Sequence, residues 1–589
     1  MNGPSQQSYP GLWHAVVDFL AASGVDTVFG LPADDVQLLR ALDASASASV
    51  SASGAGTGTG SGSGPGSGVS MVLCRDQRNA LFMATGHALA SGRPAVCVVG
   101  KGPAAANAVT GLLEARYSAA PVLLLAAGTP AARRGAAAFQ EADQMALVGS
   151  LVRWAHRVDH PERLAPALEK ALAIATGPAP GPVYLELPDD LLEAEIVRRR
   201  PWAALPQTLR HTDPAHAGGD ALEAIRRSRR PILLAGGGMR HRNADRVVER
   251  FAEQIGAAVF STASGRGAVA EDHPLFCGLA GLYRRPETAG LWREADLVIA
   301  VGSRLEETAT YGWDSLPPDT PVVQVNTDPA DVSAEFAGPR VIGDAAGALA
   351  AWSGLLPQAP QDGAWREAVS RARRETTEAA DRELRRMAAS DRLHVAEVLA
   401  ALTAALPADH VLVQENGLQD MWSYLFPYYS TGALGGSVVP SEQTSLGFGA
   451  AAAAGVKLAA PEKAVAAFVG DGAFGLFRSD LATVADAGAA VLYVVLHNGG
   501  YGWLQSQLDH LGEAAQRFSF VRDEPGIPEP GRLPGVYQHV VVDKGELASV
   551  LSTAVKECAA GRVSVVHVPV GLDDVPPGIS EVSDAPIPQ

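Results

Sequence analysis

The chain has 589 residues, 47% hydrophobic and 19% charged, enough for about three to five domains with buried cores. A net charge of −17 argues against nucleic acid or an anionic membrane surface as partner, since both reward a basic footprint, and no apolar run is long enough to span a bilayer. Cys74, Cys97, Cys277 and Cys558 show no CxxC spacing, so neither a zinc site nor a disulfide framework is expected; together with an N-terminus that lacks a basic, then apolar, leader, this fits a cytoplasmic protein.

Residues 11–42, GLWHAVVDFLAASGVDTVFGLPADDVQLLRAL, read as helix, short strand (Thr27 to Phe29), Gly-Leu-Pro corner and helix. Residues 44–68 are an Ala/Ser/Gly/Thr stretch without aromatic or charged residues, expected as a flexible surface insertion because it cannot bury enough apolar surface to offset its ordering entropy. Beyond it SMVLC, PAVCVVG, APVLLLAAG and PVYLELP are continuous apolar runs, the signature of strands buried on both faces of a parallel sheet. A first α/β domain over 1–190 results.

A second strand-helix series, PILLAGGGM, AAVFSTASG, DLVIAVGSR, PVVQVNTDP and RVIGD, defines a central α/β domain over 200–355. Residues 363–390 are charged and Ala-rich and predict a surface helix linking domains. The third domain, 390–578, repeats the pattern with HVLVQENG, KAVAAFVGDG, AAVLYVVLHNGG and VSVVHVPVG. The fold class is therefore α/β, three consecutive doubly wound parallel-sheet domains.

Two of these strands end in polar, Gly-rich corners, Gly470-Asp471-Gly472 and His497-Asn498-Gly499-Gly500. In an open parallel sheet, ligands bind outside the carboxyl ends of the strands. A strand end, a crossover helix and the next strand fit between the corners, so Asp471 and Asn498 can emerge side by side. A carboxylate, an amide oxygen and a main-chain carbonyl from the Gly499-Gly500 bend make half an octahedron suited to Mg²⁺, which completes its shell with phosphate oxygens and water. Gly470, Gly472 and Ala473 let backbone N–H groups approach a diphosphate. The alternative is that both corners are ordinary Asn/Asp-Gly turns.

The paired corners resemble the thiamine-diphosphate signature of the acetolactate synthase and pyruvate decarboxylase superfamily. GVDTVFGLP, GPAAANAVTGLLEARYSAAPVLLLAAG, AFQEADQMA, GPVYLELPDD, GRGAVAEDHPLFCGLAG, ADLVIAVGSRL and SLGFGAAAAAGVKLAAPEKAVAAFVGDG are similar to acetolactate synthase blocks in the same order. The resemblance implies that the first domain binds the aminopyrimidine and the third the diphosphate, with active sites between subunits of a homodimer or homotetramer. It implies thiamine diphosphate and Mg²⁺ as cofactors, a 2-keto acid donor and a carbonyl acceptor as substrates, and a carboligase. A decarboxylase, an acyloin lyase and a non-catalytic cofactor-binding protein are the alternatives.

By the same resemblance Asp471, Asn498 and the Gly500 carbonyl match the metal positions. Asn416, Gly417, Leu418 and Gln419 match the segment around the diphosphate, and Gly470, Gly472, Ala473 and Tyr501 also fall against the cofactor. Leu446 stands where the family has an apolar wedge that bends the cofactor, with the Thr444 carbonyl beside it; core packing is the alternative. Gln77 falls where most members place a glutamate against pyrimidine N1′ and Asp76 where they have a histidine. Glutamine donates a hydrogen bond but transfers no proton, and a one-residue slip would bring Asp76 there instead. His497 replaces the first asparagine of the family's pair, as a structural or a catalytic imidazole. Phe139, Gln140 and Trp503 match the substrate pocket, with capping of the core the alternative for Trp503. Lys101 stands where a serine lies beside the reacting centre, as an anion anchor or a solvent-facing loop residue. Gln77, Lys101 and Gln140 are the candidate catalytic side chains. FAD in the central domain is left open: AGGGM is compatible, whereas GSRLEETATYG loses the second arginine of the family's run at Thr308.

Overall fold

Three sets of apolar strands form three six-stranded sheets in which every neighbouring pair is parallel. Central strands such as Val122–Gly128, Leu297–Val301 and Leu492–His497 are buried along their whole length, as helices on both faces require. The computed structural model describes residues 7–32, 36–52, 68–198, 200, 202, 218–357, 363–432, 435–510 and 533–577.

Numbered within each sheet in chain order, the first and third sheets share the strand order 2-1-3-4-6-5, and the central sheet has the order 3-2-1-4-5-6. Each order reverses direction beside its first strand, and ligands of such sheets bind in the crevice at that switch point. In the third sheet the switch lies between His410–Gln414 and Ala464–Gly470, which pair in parallel. In the first it lies between Thr27–Leu31 and Ala95–Val99.

The chain divides into two compact units. The first holds the first sheet together with Ala451–Pro461 and Phe477–Ala489; the second holds the central and third sheets. Past Pro188 the chain still serves the first unit, because Ile196–Arg198 pairs antiparallel with Gln7–Tyr9.

Within the first unit the helix Gln77–Ser91 meets the small-residue run of the helix Phe448–Ala459 backbone to backbone. A Cβ on Gly455 would lie 1.8 Å from the Met83 carbonyl oxygen, and one on Gly86 2.3 Å from that of Ala452. Gly455→Ala therefore forces the helices apart and is expected to cost about 1–3 kcal/mol, the usual range for overpacking, read as a lower urea midpoint of unfolding.

One expectation is corrected. The insertion at 44–68 does not begin as a loop: the helix Gln37–Ala52 continues into it. Buried Leu38, Ala41 and Leu42 anchor its first turns, and alanine, the best helix former, lets the helix propagate at little cost. Residues 53–67 lie outside the described residues. The expected linker forms the helix Gly363–Ala388, whose buried Trp365, Val369, Ala372, Thr376 and Ala379 recur at helical spacing on one face.

In the second unit a buried ion pair ties the central domain to the third. Arg266 is fully buried; its Nε lies 2.8 Å from Glu271 Oε1 and its Nη2 3.1 Å from Oε2. The same guanidinium donates to the carbonyls of Ser423 and Tyr429 and stacks over the Tyr429 ring, 4.8 Å from its centroid.

Candidate active site

One strand over from the third sheet's switch point, the register of Ala464–Gly470 against Leu492–His497 sets Gly470 beside Leu496, so Asp471 and Asn498 leave adjacent strands within one residue of the same level. The helix Asp471–Phe477 begins at once, and after a 3₁₀ turn, Arg478–Asp480, a second helix, Leu481–Asp486, completes the crossover. Gly499 has φ +76, which lets the chain turn back so that Asn498 Oδ1 accepts from the Gly500 N–H at 3.0 Å. Asn498 Nδ2 donates to Gln419 Oε1 at 2.7 Å, and Gln419 Nε2 donates to the Leu572 carbonyl at 2.9 Å. The corners after His410–Gln414 and Leu492–His497 are thus joined by side-chain amides.

The third partner is Asp420, which the sequence reading missed. It is buried and accepts hydrogen bonds from the N–H groups of Gly417 and Gly470, linking the corner at Asn416–Gln419 to the corner at Asp471. Burial, and secondarily the charge of Asp471, push its carboxyl up to about 7. Its Oδ1 and the Oδ1 of Asn416 are buried oxygens with no partner among the described residues. His497, between these groups, makes a 2.9 Å Nε2 contact with His567 Nδ1. Burial pushes it down to about 4, so its 3.6 Å approach to Asp471 is that of a neutral imidazole near pH 7, not an ion pair.

A Cβ added to Gly472 or Gly475 would meet nothing within 4 Å, so the helix face behind Asp471 is open. Leu446 is 55% exposed, which excludes core packing. It sits in a turn where Thr444 has φ +48 and Gly447 φ +88. The turn is held from the central domain: Glu442 accepts from the Thr308 N–H at 2.8 Å and hydroxyl at 2.6 Å. Tyr501 is 66% exposed, whereas Trp503 is half-buried and packs on the hydrophobic core.

In the first unit Asp76 is the N-cap of the helix Gln77–Ser91, accepting from the Asn79 N–H at 3.1 Å. Gln77, the first helical residue, accepts through Oε1 from Asn107 Nδ2 at 2.7 Å; the same nitrogen lies 3.3 Å from Asp76 Oδ2. Asp480, buried, fixes this corner by accepting from the Arg75 N–H at 2.6 Å and Asn79 Nδ2 at 2.8 Å. Lys101 is ion-paired with Asp189, so it is not a freely solvated loop lysine. Gly102 packs on Gln140: its φ is +59, and a Cβ there would lie 2.4 Å from the Gln140 carbonyl oxygen. Gln140 itself has φ +57, and Phe139 stands out at 73% exposure. The segment Lys101–Asn107 therefore touches both Gln77 and Gln140.

Three family models match this chain: "Thiamine pyrophosphate enzyme, N-terminal TPP binding domain" over 12–147, "Thiamine pyrophosphate enzyme, central domain" over 219–352 and "Thiamine pyrophosphate enzyme, C-terminal TPP binding domain" over 417–568. The probable 2-ketoarginine decarboxylase of Pseudomonas aeruginosa is 31% identical over 568 residues, 94% of this chain and 93% of the relative. The chain belongs to the thiamine pyrophosphate enzyme family. Acetolactate synthase large subunits are also similar: the probable one of Methanocaldococcus jannaschii at 27% identity, covering 96% of this chain and 93% of the relative, and isozyme 2 of Escherichia coli at 26%, covering 96% and 97%.

This thiamine pyrophosphate enzyme acts by forming or breaking carbon–carbon bonds. Its donor set fits a metal-bound diphosphate. Among the described residues no group of three or more His, Cys, Asp or Glu could hold a metal by itself, so a divalent ion at Asp471 and Asn498 would need phosphate oxygens and water to fill its shell. No helix among the described residues is long and apolar enough to cross a membrane.

Asp420 gives this thiamine pyrophosphate enzyme a pH signature. An unfolded aspartate loses its proton near pH 4, whereas the folded one keeps it to about 7. Across that window the folded state binds more protons, so stability falls as pH rises and then levels off. Asp420→Asn removes this slope while keeping an oxygen for Gly417 and Gly470. In the absence of divalent cation its unfolding midpoint is expected to gain on wild type from pH 4 to 7.

Proposed function

We propose that this protein is a thiamine-diphosphate- and Mg²⁺-dependent carboligase that decarboxylates a pyruvate-like 2-keto acid and transfers the acyl unit to a second carbonyl. The observation that carries the reading is the convergence, at the third sheet's switch point, of Asp471, Asn498 and Gln419 with the buried oxygens of Asn416 and Asp420 that find no partner among the described residues. When bound, thiamine diphosphate supplies the nucleophilic carbon and the electron sink for decarboxylation.

In this reading Asp471, Asn498 and the Gly500 carbonyl hold Mg²⁺. Asn416, Gly417, Leu418, Gln419, Gly470, Gly472, Ala473 and Tyr501 embrace the diphosphate. Leu446 and the Thr444 carbonyl shape the reacting end, with the Glu442–Thr308 bonds fixing their turn. Gln77 donates a hydrogen bond to the pyrimidine ring nitrogen. Asp76 is the weaker candidate for that place, because one of its oxygens caps its own helix and the other faces Asn107. Phe139, Gln140 and Trp503 line the donor side, and Lys101 orients an anionic substrate group while paired with Asp189. The pyrimidine surface of one subunit and the diphosphate surface of another would complete each site in a homodimer or homotetramer.

The central domain is assigned a scaffolding role without FAD. Thr308 offers no cation for a dinucleotide phosphate and bonds Glu442 instead. Arg304 is paired with Glu306 at 2.8 Å. A colourless purified protein is expected; flavin absorbance would overturn this assignment.

Incubation of the purified protein with thiamine diphosphate, Mg²⁺ and pyruvate tests the reaction. Acetolactate supports carboligation. Acetaldehyde supports simple decarboxylation, the second reading, favoured by the 31% identity to a protein named as a probable 2-ketoarginine decarboxylase. Turnover of no 2-keto acid, with the cofactor bound, overturns both in favour of a non-catalytic binder.

A further inference from the structure

Asp76 and Asn107 explain which way round the Gln77 amide faces. A carboxylate only accepts hydrogen bonds, whereas an amide has an accepting and a donating end. Asp76 Oδ2 lies 3.3 Å from Asn107 Nδ2, so the Asn107 amide must point its nitrogen at this corner. That nitrogen also meets Gln77 at 2.7 Å, so Gln77 must turn its oxygen inward. That leaves Nε2 as the donating end of the amide, and no described residue accepts from it. Asp480 keeps the corner from shifting through its bonds to Arg75 and Asn79.

We infer that Asp76 and Asn107 form an orientation relay that fixes Gln77 as a hydrogen-bond donor, so that the ligand atom opposite must be an acceptor: an unprotonated ring nitrogen. The inference rests on the placement of Gln77 against the cofactor's pyrimidine proposed above. A second observation points the same way: Gln77 opens a helix of 15 residues, whose N-terminal partial positive charge disfavours a protonated ring beside it. Asn107 is a positioning residue in this scheme. It acts through Gln77 and selects the protonation state of the ring that the site accepts.

Calorimetry with Mg²⁺ tests this by comparing thiamine diphosphate with an analogue in which the pyrimidine N1′ is a C–H group. One satisfied hydrogen bond predicts that wild type prefers the natural cofactor by roughly tenfold. Asn107→Asp presents an acceptor to Gln77, turns the amide round and is expected to reverse the preference. The exchange Asp76→Asn with Asn107→Asp conserves charge and keeps a good N-cap, and is expected to reverse it too, so the outcome does not depend on the single variant folding. A purely structural role would alter both affinities alike. Equal binding of the two compounds by wild type, or an unchanged preference in the folded variants, overturns the relay while leaving cofactor binding intact. Binding of neither compound by wild type instead overturns the cofactor site itself.

Discussion

Asp471→Ala is expected to weaken thiamine diphosphate uptake in the presence of Mg²⁺ by roughly 30- to 5,000-fold, the equivalent of about 2–5 kcal/mol for truncating one member of a desolvated charge pair. The neighbouring groups cannot substitute for it. Asp420 holds its proton up to about pH 7, and one of its two oxygens is taken by the Gly417 and Gly470 N–H groups. His497 is neutral at that pH, and Asn498 carries no charge. Asp471→Asn keeps the shape and one oxygen but removes the charge, so a smaller loss is expected. Titration calorimetry of the two variants measures the difference. Equal affinities for wild type and Asp471→Ala would place the metal elsewhere.

The largest stability effect is expected at Arg266. Its guanidinium is fully buried, and its removal strands the Glu271 carboxylate together with the carbonyls of Ser423 and Tyr429. Among the described residues Glu271 retains the Thr431 N–H, at 3.1 Å on one oxygen. Breaking a buried pair from one side costs about 3–5 kcal/mol, because an uncompensated charge remains, whereas replacing both partners by apolar residues can be neutral. Arg266→Ala should therefore lower the thermal midpoint much more than Arg266→Met combined with Glu271→Leu. The reverse order would show that the cation itself, and not the stranded anion, governs the site. Because Ser423 and Tyr429 follow the Asn416–Gln419 corner in the chain, Arg266→Ala is also expected to weaken cofactor binding.

Much of the architecture could be read from the chain because buried parallel strands leave long apolar runs, such as APVLLLAAG and AAVLYVVLHNGG, and their ends carry the polar corners. Asp471 and Asn498 were legible because each sits at such an end. The third sheet then sets the two ends side by side through the Gly470–Leu496 register. What was not legible depends on pairings distant in sequence. Asn107 lies in a run of alanines, and only its contact with Gln77 gives it meaning. Asp420 adjoins the expected Gln419, but its bond to Gly470 joins strands that are neighbours in space alone. The partner of Lys101, Asp189, lies on another strand's end. Strand order was equally hidden, since periodicity reports how a strand is buried and not which strand lies beside it. The helix through Ala52 was missed for a local reason: an Ala/Ser run has the composition of a linker, yet it extends a helix that has already been nucleated.

Calorimetric titration of the wild-type protein with thiamine diphosphate, with and without Mg²⁺, tests the central claim most directly. The account predicts saturable uptake that requires the metal, at one cofactor per chain. Absence of uptake with Mg²⁺ present, or uptake equally tight without it, would contradict it.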